Sequence, residues 1–436
     1  KANDDQIIGH FGLGFYSAFM VADEVHIDTL SFKEGAAPVH WECDGGTEYT
    51  MTDGDKAEVG TKITLFLNED VLEFCNQYKA REVIKKYCSF MPTEIYLSKA
   101  NPDETFLVDH GCPRFGSGEA KCVINETLRG DDVYIITDCF NYSVTYNMYG
   151  MKVPMSPDDH YCDLKRTIAA IAGKARRITV IMLMLYEGRQ HKRSARESLD
   201  CAVMLQELIG MGVSNFLTFD AHDPRINNAI PLNGFDNVQP TYQMIKALLK
   251  NVPDIVVDKD HLVMISPDEG AMQRCIYYSS VLGIDIGMFY KRRNYSIVIN
   301  GRNPIEAHEY LGQDLNGKDV IIVDDMIASG ESLLDVAKQL KEKGAKRIFN
   351  FATLGLFTSG FDIFDKAYED GIIDKIFTTN LVYHTPELHN KKWWCEVNMC
   401  KFVAFLIETL NHDDTISNLL DPVEKINSVL KKYGQR

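Results

Sequence analysis

The sequence has no apolar run long enough to cross a bilayer. Its longest, ITVIMLMLY, begins at Ile178 and ends at Tyr186, whereas a membrane helix needs about 20 such residues. That run reads as a buried strand. There is no excess of positive charge either: 46 Lys and Arg face 62 Asp and Glu, a formal net charge of −16. Proteins that grip nucleic acid by bulk electrostatics have the opposite balance. Neither nucleic acid nor membrane is expected as a partner. No cysteines show the close double spacing of a zinc finger or ribbon; all 11 are scattered, Cys395 and Cys400 being the nearest two. This is the usage of reduced thiols and points to a cytoplasmic location. Signal peptide, internal repeat and low-complexity linker are all missing. The chain opens on Lys1, not Met, and so reads as processed, trimmed or a fragment.

Two different patterns are present in the 436 residues. Up to about Ala100 the order is antiparallel. EVHIDTLS from Glu24 and TKITLFL from Thr61 alternate like half-exposed strands, GTEYTMTDGDKAEVGT between them is turn-rich, and REVIKKYCSFM from Arg81 reads as a helix. After Asn101 to Glu104 the pattern changes. Continuously apolar segments such as RITVIML, NFLTFDA, HLVMISPD, DVIIVDD and RIFNFATLG alternate with helical ones such as SLLDVAKQLKEKG. Strands buried on both faces and separated by amphipathic helices predict a parallel α/β sheet.

The first piece carries a glycine-punctuated loop, IIGHFGLGFYSAF, with Gly9, Gly12 and Gly14. Such a loop can bring backbone N–H groups close to a phosphate. With HWECDGG around Trp41 and GTKITLFLNED from Gly60, it resembles the ATP-binding GHKL domain of bacterial heat-shock protein 90 chaperones over residues 1–101. The resemblance implies that Phe15 and Thr61 line a nucleotide pocket beside the loop. The family's catalytic Glu, its metal-binding Asn and its adenine-binding Asp lie on elements that precede this loop and have no counterpart in the chain. A phosphate loop without them has no means to catalyse, so Gly9, Gly12, Gly14, Phe15 and Thr61 are read as a vestigial nucleotide site in a truncated α+β fragment.

The strongest chemical signal is DVIIVDDMIASGESLLDVAKQL, Asp319 to Leu340. A buried strand ends in Asp324 and Asp325, a loop carries Ser329, Gly330 and Ser332, and a helix begins. Serine hydroxyls and free N–H groups at a helix start hold a phosphate dianion; paired carboxylates accept hydrogen bonds from sugar hydroxyls or bind magnesium. The bland alternative is an acidic turn with a Ser N-cap. The segment resembles the phosphoribosyl-binding loop of the phosphoribosyltransferase fold. Four more stretches narrow the resemblance: TFDAHDPRI with Asp220 and His222, ISPDEGAMQR with Asp268, FYKRRNY with Lys291 and Arg293, and LYEGRQHKRSARES with Arg189 and Gln190. A fifth, CPRFGSGEAKC, carries Phe115 and Glu119. Together they resemble ribose-phosphate pyrophosphokinase, the PRPP synthetase family, from about residue 104 to 436.

That resemblance implies two phosphoribosyltransferase-like parallel-sheet domains, 102–235 and 236–395, the first lacking the family's opening strand and helix, and a C-terminal helix in 396–436 returning to the first. It implies transfer of the pyrophosphoryl group of ATP to ribose 5-phosphate, with Mg2+ as cofactor and a homo-oligomer, a hexamer, sharing sites between subunits. Phe115 and Glu119 would meet adenine from a neighbouring subunit, and Arg189 and Gln190 would hold ATP. His222 and Asp268 would organise magnesium and the ATP phosphates. Lys291 and Arg293 would close, with His222, over the transferring group, while Asp324, Asp325, Ser329, Gly330 and Ser332 would hold ribose 5-phosphate. The sequence departs from the family pattern at His191, where Asp is usual, at Ala271, where Gly is usual, and at Ser117, where Asp or Asn is common. Two other readings stay open: a non-catalytic nucleotide-binding or regulatory relative, and a chaperone-type ATP-binding fragment. Both pieces are cut inside a domain, not at a linker, which reads as an artefactual join or a partial gene.

Overall fold

Parallel strands must be covered on both faces, and the longest apolar segments of this chain are placed accordingly. The computed structural model describes residues 15–46, 48–68, 71, 77–88, 107–193, 195–293 and 305–435, without the side chains of 15–16, 77–78, 81–82, 85, 88, 291–293 and 305–308. Two compact units divide the chain, Lys1–Leu107 and Val108–Arg436.

In the first unit a short 3-10 turn, Phe15–Met20, leads into an antiparallel sheet of β1 (Ala22–Leu30), β2 (Val39–Cys43), β3 (Thr50–Asp53) and β4 (Gly60–Leu67), in the order β3-β2-β1-β4. Helix α1 follows at Gln77–Cys88. The expected alternation does not appear in the burial: on β1 only Ala22 and Val25, three positions apart across a register shift, are buried, and β4 exposes residues of both faces.

The second unit opens on two small hairpins, β5 (His110–Gly111) with β6 (Val123–Ile124), and β8 (Thr145–Met148) with β9 (Met151–Pro154). Its first sheet runs β12-β11-β10-β7 and is wholly parallel: β7 (Asp132–Thr137), β10 (Arg177–Met182), β11 (Asn215–Phe219) and β12 (Gly234–Val238). Helices α2 (Pro157–Ile171) and α3 (Asp200–Gly210) cover it. Helix α2 starts where Ser156 and Asp159 form a reciprocal capping box ahead of Pro157, which satisfies two otherwise orphaned N–H groups.

After α4 (Thr241–Asn251) comes a seven-stranded sheet in the order β15-β14-β13-β16-β17-β18-β19. Its strands are β13 (Leu262–Ser266), β14 (Asp285–Arg293), β15 (Ile305–Leu311), β16 (Asp319–Ile327), β17 (Ile348–Gly355), β18 (Lys375–Thr379) and β19 (Trp394–Val397). Only the β14–β15 pairing is antiparallel. Helices α5 (Met272–Leu282), α6 (Glu331–Glu342) and α7 (Asp362–Glu369) alternate with its strands. The chain lays strands outward one way from β13 and the other way from β16. Those two neighbours therefore flank a topological switch point, where the crevice beyond the strand ends is open for a ligand. Residues 400–432 form α8 (Cys400–Asn411), α9 (Ser417–Leu420) and α10 (Val423–Lys432). Helix α10 packs on α4, and Arg177 of β10 reaches the Leu410 carbonyl and pairs with Asp413.

One core cluster draws on both sheets, from Ile181 and Phe219 to Phe351 and Phe377. Phe351 is 1% exposed and lies 5.7 Å from the Tyr278 ring and 5.4 Å from that of Phe377. Phe351→Ala is expected to lower stability by about 3–5 kcal/mol. Ile136→Ala, at a half-exposed position, is expected to stay within about 0.5 kcal/mol. Urea unfolding followed by fluorescence checks both, and equal midpoints for the two variants would refute this account of the core.

Candidate active site

Three strand ends of the second unit converge. Strand β11 runs out at Phe219, and the next residue, Asp220, takes a left-handed backbone with φ 48°. Its carboxylate is 1% exposed and accepts three hydrogen bonds: from Arg274 Nε at 2.7 Å, from Gln239 Nε2 at 3.0 Å and from Thr353 Oγ1 at 2.6 Å. Arg274 belongs to α5 and Thr353 to β17, so one carboxylate of the first sheet is tied to two elements of the second. Burial works against the Arg274 charge, but Asp220, Asp325 and Asp324 outweigh it and raise its affinity for the proton.

Two residues on, the turn presents His222. Its Nδ1 lies 2.7 Å from Asp325 Oδ2 across the two sheets. The hydrogen bond to Asp325 raises the imidazole above its ordinary value, against a smaller lowering by burial. Asp324 and Asp325 end the buried part of β16, as the sequence implies, but they are not equivalent. Asp325 is 3% exposed and Asp324 partly exposed. Burial would push the Asp325 carboxyl up; the His222 hydrogen bond and Arg274 overcome it and hold it below the usual range. Burial and the neighbouring Asp325 charge drive the Asp324 carboxyl well above that range. The two neighbouring carboxyls are thus shifted in opposite directions, Asp324 up and Asp325 down.

Asp268 stands just beyond β13, next to β16 across the switch point. Its Oδ1 accepts from the Gly270 N–H at 3.0 Å and the Ala271 N–H at 3.3 Å, fixing the turn into α5. The loop after β16 brings Ser329 and Gly330 to the start of α6, where Ser332 and Glu331 are exposed. Gly330, not a serine, is the N-cap and has no side chain to cap the helix; the Glu331 N–H makes only a long 3.5 Å contact to Ser329 Oγ, so N–H groups at the start of α6 remain for other acceptors. Only glycine suits that position: φ is 89°, and an added Cβ would fall 2.0 Å from Phe364 Cζ.

A cleft of about 150 Å3 beside the cluster is lined by Arg189, Asp220, His222 and Met326 among others. Arg189 is exposed, whereas Gln190 donates from Nε2 to the Ser198 carbonyl at 2.8 Å. His191 places its Nε2 3.3 Å from Asp223 and its ring 5.4 Å from that of His222. Phe115 and Glu119 lie elsewhere, exposed at the end of a hairpin closed by the Phe115 N–H to Glu119 carbonyl bond of 2.7 Å. Lys291 and Arg293 are at the end of β14, opposite His308 and Ile305 of β15, and their side chains lie outside the described residues. In the first unit Gly9, Gly12 and Gly14 are also outside them, Phe15 opens the 3-10 turn, and Thr61 Oγ1 is 2.8 Å from Thr29 Oγ1. Among the described residues no helix is long and apolar enough to cross a membrane. Sequence reasoning found Asp220, His222, Asp268, Asp324 and Asp325 but missed Arg274, Gln239 and Thr353, whose roles depend on contacts between distant segments.

Comparison with known proteins is consistent with this geometry. The N-terminal domain of ribose phosphate pyrophosphokinase matches residues 77–212, a phosphoribosyl transferase domain residues 235–355, and a phosphoribosyl synthetase-associated domain residues 302–421. The ribose-phosphate pyrophosphokinase of Vibrio cholerae is 29% identical over 321 residues, 72% of this chain and 92% of the relative. The crystal structure of phosphoribosylpyrophosphate synthetase from Mycobacterium smegmatis superposes with a TM-score of 0.59 at 19% identity, over 71% of this chain and 92% of that one. The chaperone protein HtpG of Bacteroides fragilis is 50% identical over 99 residues; the chain spans only 14% of the length of that relative.

The His222 shift has a measurable sign. A raised imidazole contributes its ion pair in full below the ordinary imidazole pKa and loses it as pH rises through the raised value. In an NMR titration His222 is expected to stay protonated to higher pH than an exposed histidine, and Asp325→Asn to move its midpoint down. A midpoint unmoved by the substitution would show that the bond does not set it.

Proposed function

We propose that this chain, whose larger unit belongs to the ribose-phosphate pyrophosphokinase family, transfers the diphosphoryl group of ATP to the 1-hydroxyl of ribose 5-phosphate, giving PRPP and AMP. The observation that carries the reading is the meeting of His222 with Asp325 at the switch point, one short loop away from an uncapped helix start. A sugar phosphate and a nucleotide can be held there side by side. The 5-phosphate takes the Ser329 and Ser332 hydroxyls and the N–H groups at the start of α6, with Gly330 letting the backbone close in. Asp324 meets the ribose hydroxyls, and Asp325 steadies His222 on the nucleotide side. Arg189 and Gln190 receive ATP in the cleft; Gln190 must exchange its bond to the Ser198 carbonyl. The exposed Phe115 and Glu119 are available to adenine of a neighbouring subunit in a homo-oligomer.

In the reaction the ribose oxygen forms a bond to the β-phosphorus as the bond from that phosphorus to the AMP oxygen breaks. Negative charge gathers on the phosphoryl oxygens, so the catalytic work is positioning and charge stabilisation. Lys291 and Arg293 supply cations there. The donor set fits magnesium: Asp268 and the Asp324–Asp325 pair offer hard oxygens. His222 and Asp268 would hold the ion, which supplies neutralisation of the ATP phosphates.

The direct test is AMP release from ATP with magnesium, with and without ribose 5-phosphate. Release that requires the sugar phosphate is expected. ADP and phosphate formed without it would instead assign nucleotide turnover to the chaperone-like unit. Ser332→Ala removes an exposed hydroxyl and no core contact. It is expected to raise KM for ribose 5-phosphate roughly 10–100-fold, equivalent to ~1.5–3 kcal/mol for a hydrogen bond to a charged group, while KM for ATP stays put. Lys291→Ala should lower kcat with little change in either KM, because its partner charge develops in the transition state.

A further inference from the structure

The geometry points to a zinc-class metal site on the sheet of the first unit, formed by Nε2 of His26, Nε2 of His40 and a carboxylate oxygen of Glu42. Successive side chains of a strand point to opposite faces. Glu24, His26 and Asp28 therefore share one face of β1, and His40 and Glu42 share one face of β2. The antiparallel register sets His26 opposite Glu42 and Asp28 opposite His40, which gathers all five on the same face. The three donor atoms lie within 4.8 Å of one another. From Glu42 Oε2 it is 3.6 Å to His40 Nε2 and 3.8 Å to His26 Nε2. Tetrahedral zinc with bonds near 2.0–2.2 Å holds its ligands about 3.4 Å apart, and both separations from Glu42 are within a few tenths of an ångström of that spacing.

The outer contacts are also those of a metal site. His40 Nδ1 is 2.6 Å from Asp28 Oδ1. With Nδ1–H donated to that carboxylate, the lone pair is left on Nε2 and the ring is held in orientation, the usual support of a ligating histidine. His26 Nε2 is 2.7 Å from Glu24 Oε1. On metal entry the proton between them leaves Nε2, and Glu24 becomes available as a fourth ligand. The Phe66 ring, 4.7 Å from that of His26, limits water on one side. Two imidazoles with a carboxylate suit zinc, copper or nickel better than magnesium or calcium, whose ligands are mostly oxygen. The site belongs to the first unit, and the carboxylate cluster to the second.

The test uses the full chain, stripped with a chelator and titrated with zinc chloride against a chromophoric zinc indicator. Wild type is expected to bind one equivalent more than His26→Gln/His40→Gln, with Asp28→Asn keeping that equivalent at about 10–100-fold lower affinity. Far-UV circular dichroism shows whether each variant keeps its sheet. Cobalt(II) in wild type supplies a readout independent of any variant: tetrahedral nitrogen–oxygen d–d bands without thiolate charge transfer support the site. Equal stoichiometry and affinity in wild type and a folded double variant, or a cobalt spectrum of thiolates alone, would overturn it.

Discussion

Asp220 is a buried carboxylate that the second unit is arranged around. An ionised group at 1% exposure is tolerable only if its charge and lone pairs are met. Arg274, Gln239 and Thr353 meet them from three different elements. Breaking a buried pair by removing one partner costs about 3–5 kcal/mol, so these elements hold a fixed relation to β11. The left-handed backbone at Asp220 then turns the chain and delivers His222 to Asp325. The same contacts that join the two sheets therefore also aim the imidazole.

The inequality of Asp324 and Asp325 follows from the same constraint. Two adjacent carboxylates in a buried strand end cannot both ionise cheaply. His222 and Arg274 favour charge on Asp325, while burial and the Asp325 charge disfavour it on Asp324.

Much of this was legible in the sequence. Apolar runs between turn residues placed RITVIML on β10, NFLTFDA on β11 and DVIIVDD on β16, because burial on both faces leaves no other residue types available. The loop motif put Gly330 just before a helix start, but the left-handed backbone there and the ring it approaches, Phe364, 34 positions further on, carry no local signal. What the sequence concealed is contact between distant segments. His222 and Asp325 are separated by 103 positions, and nothing in either motif states that they bond. The His26, His40 and Glu42 group was hidden for a related reason. Metal spacings on helices and knuckles repeat within a segment, whereas these donors meet across two strands, and only the register makes them neighbours.

The two units bury apolar surface very differently, and this decides which one to credit with chemistry. Among the described residues of the first unit only Ala22 and Val25 are buried apolar side chains, while Met51, Ile63, Leu65 and Phe66 are exposed. Thr61, the described member of the nucleotide set inferred there, is bonded across the strands to Thr29. The second unit instead packs β10, β11, β13, β16 and β17 to near-zero exposure over most of their length, so the polar ends of these strands are held by a rigid scaffold. Positioning within fractions of an ångström is what phosphoryl transfer asks of a protein. Only the strand ends of the second unit, among the described residues, combine that rigidity with paired carboxylates, an imidazole and an uncapped helix start. A sheet face with three convergent donors asks less of its surroundings, because a metal ion organises its own ligands. The proposed diphosphoryl transfer therefore belongs with the tightly packed unit, and the proposed metal capture with the open sheet.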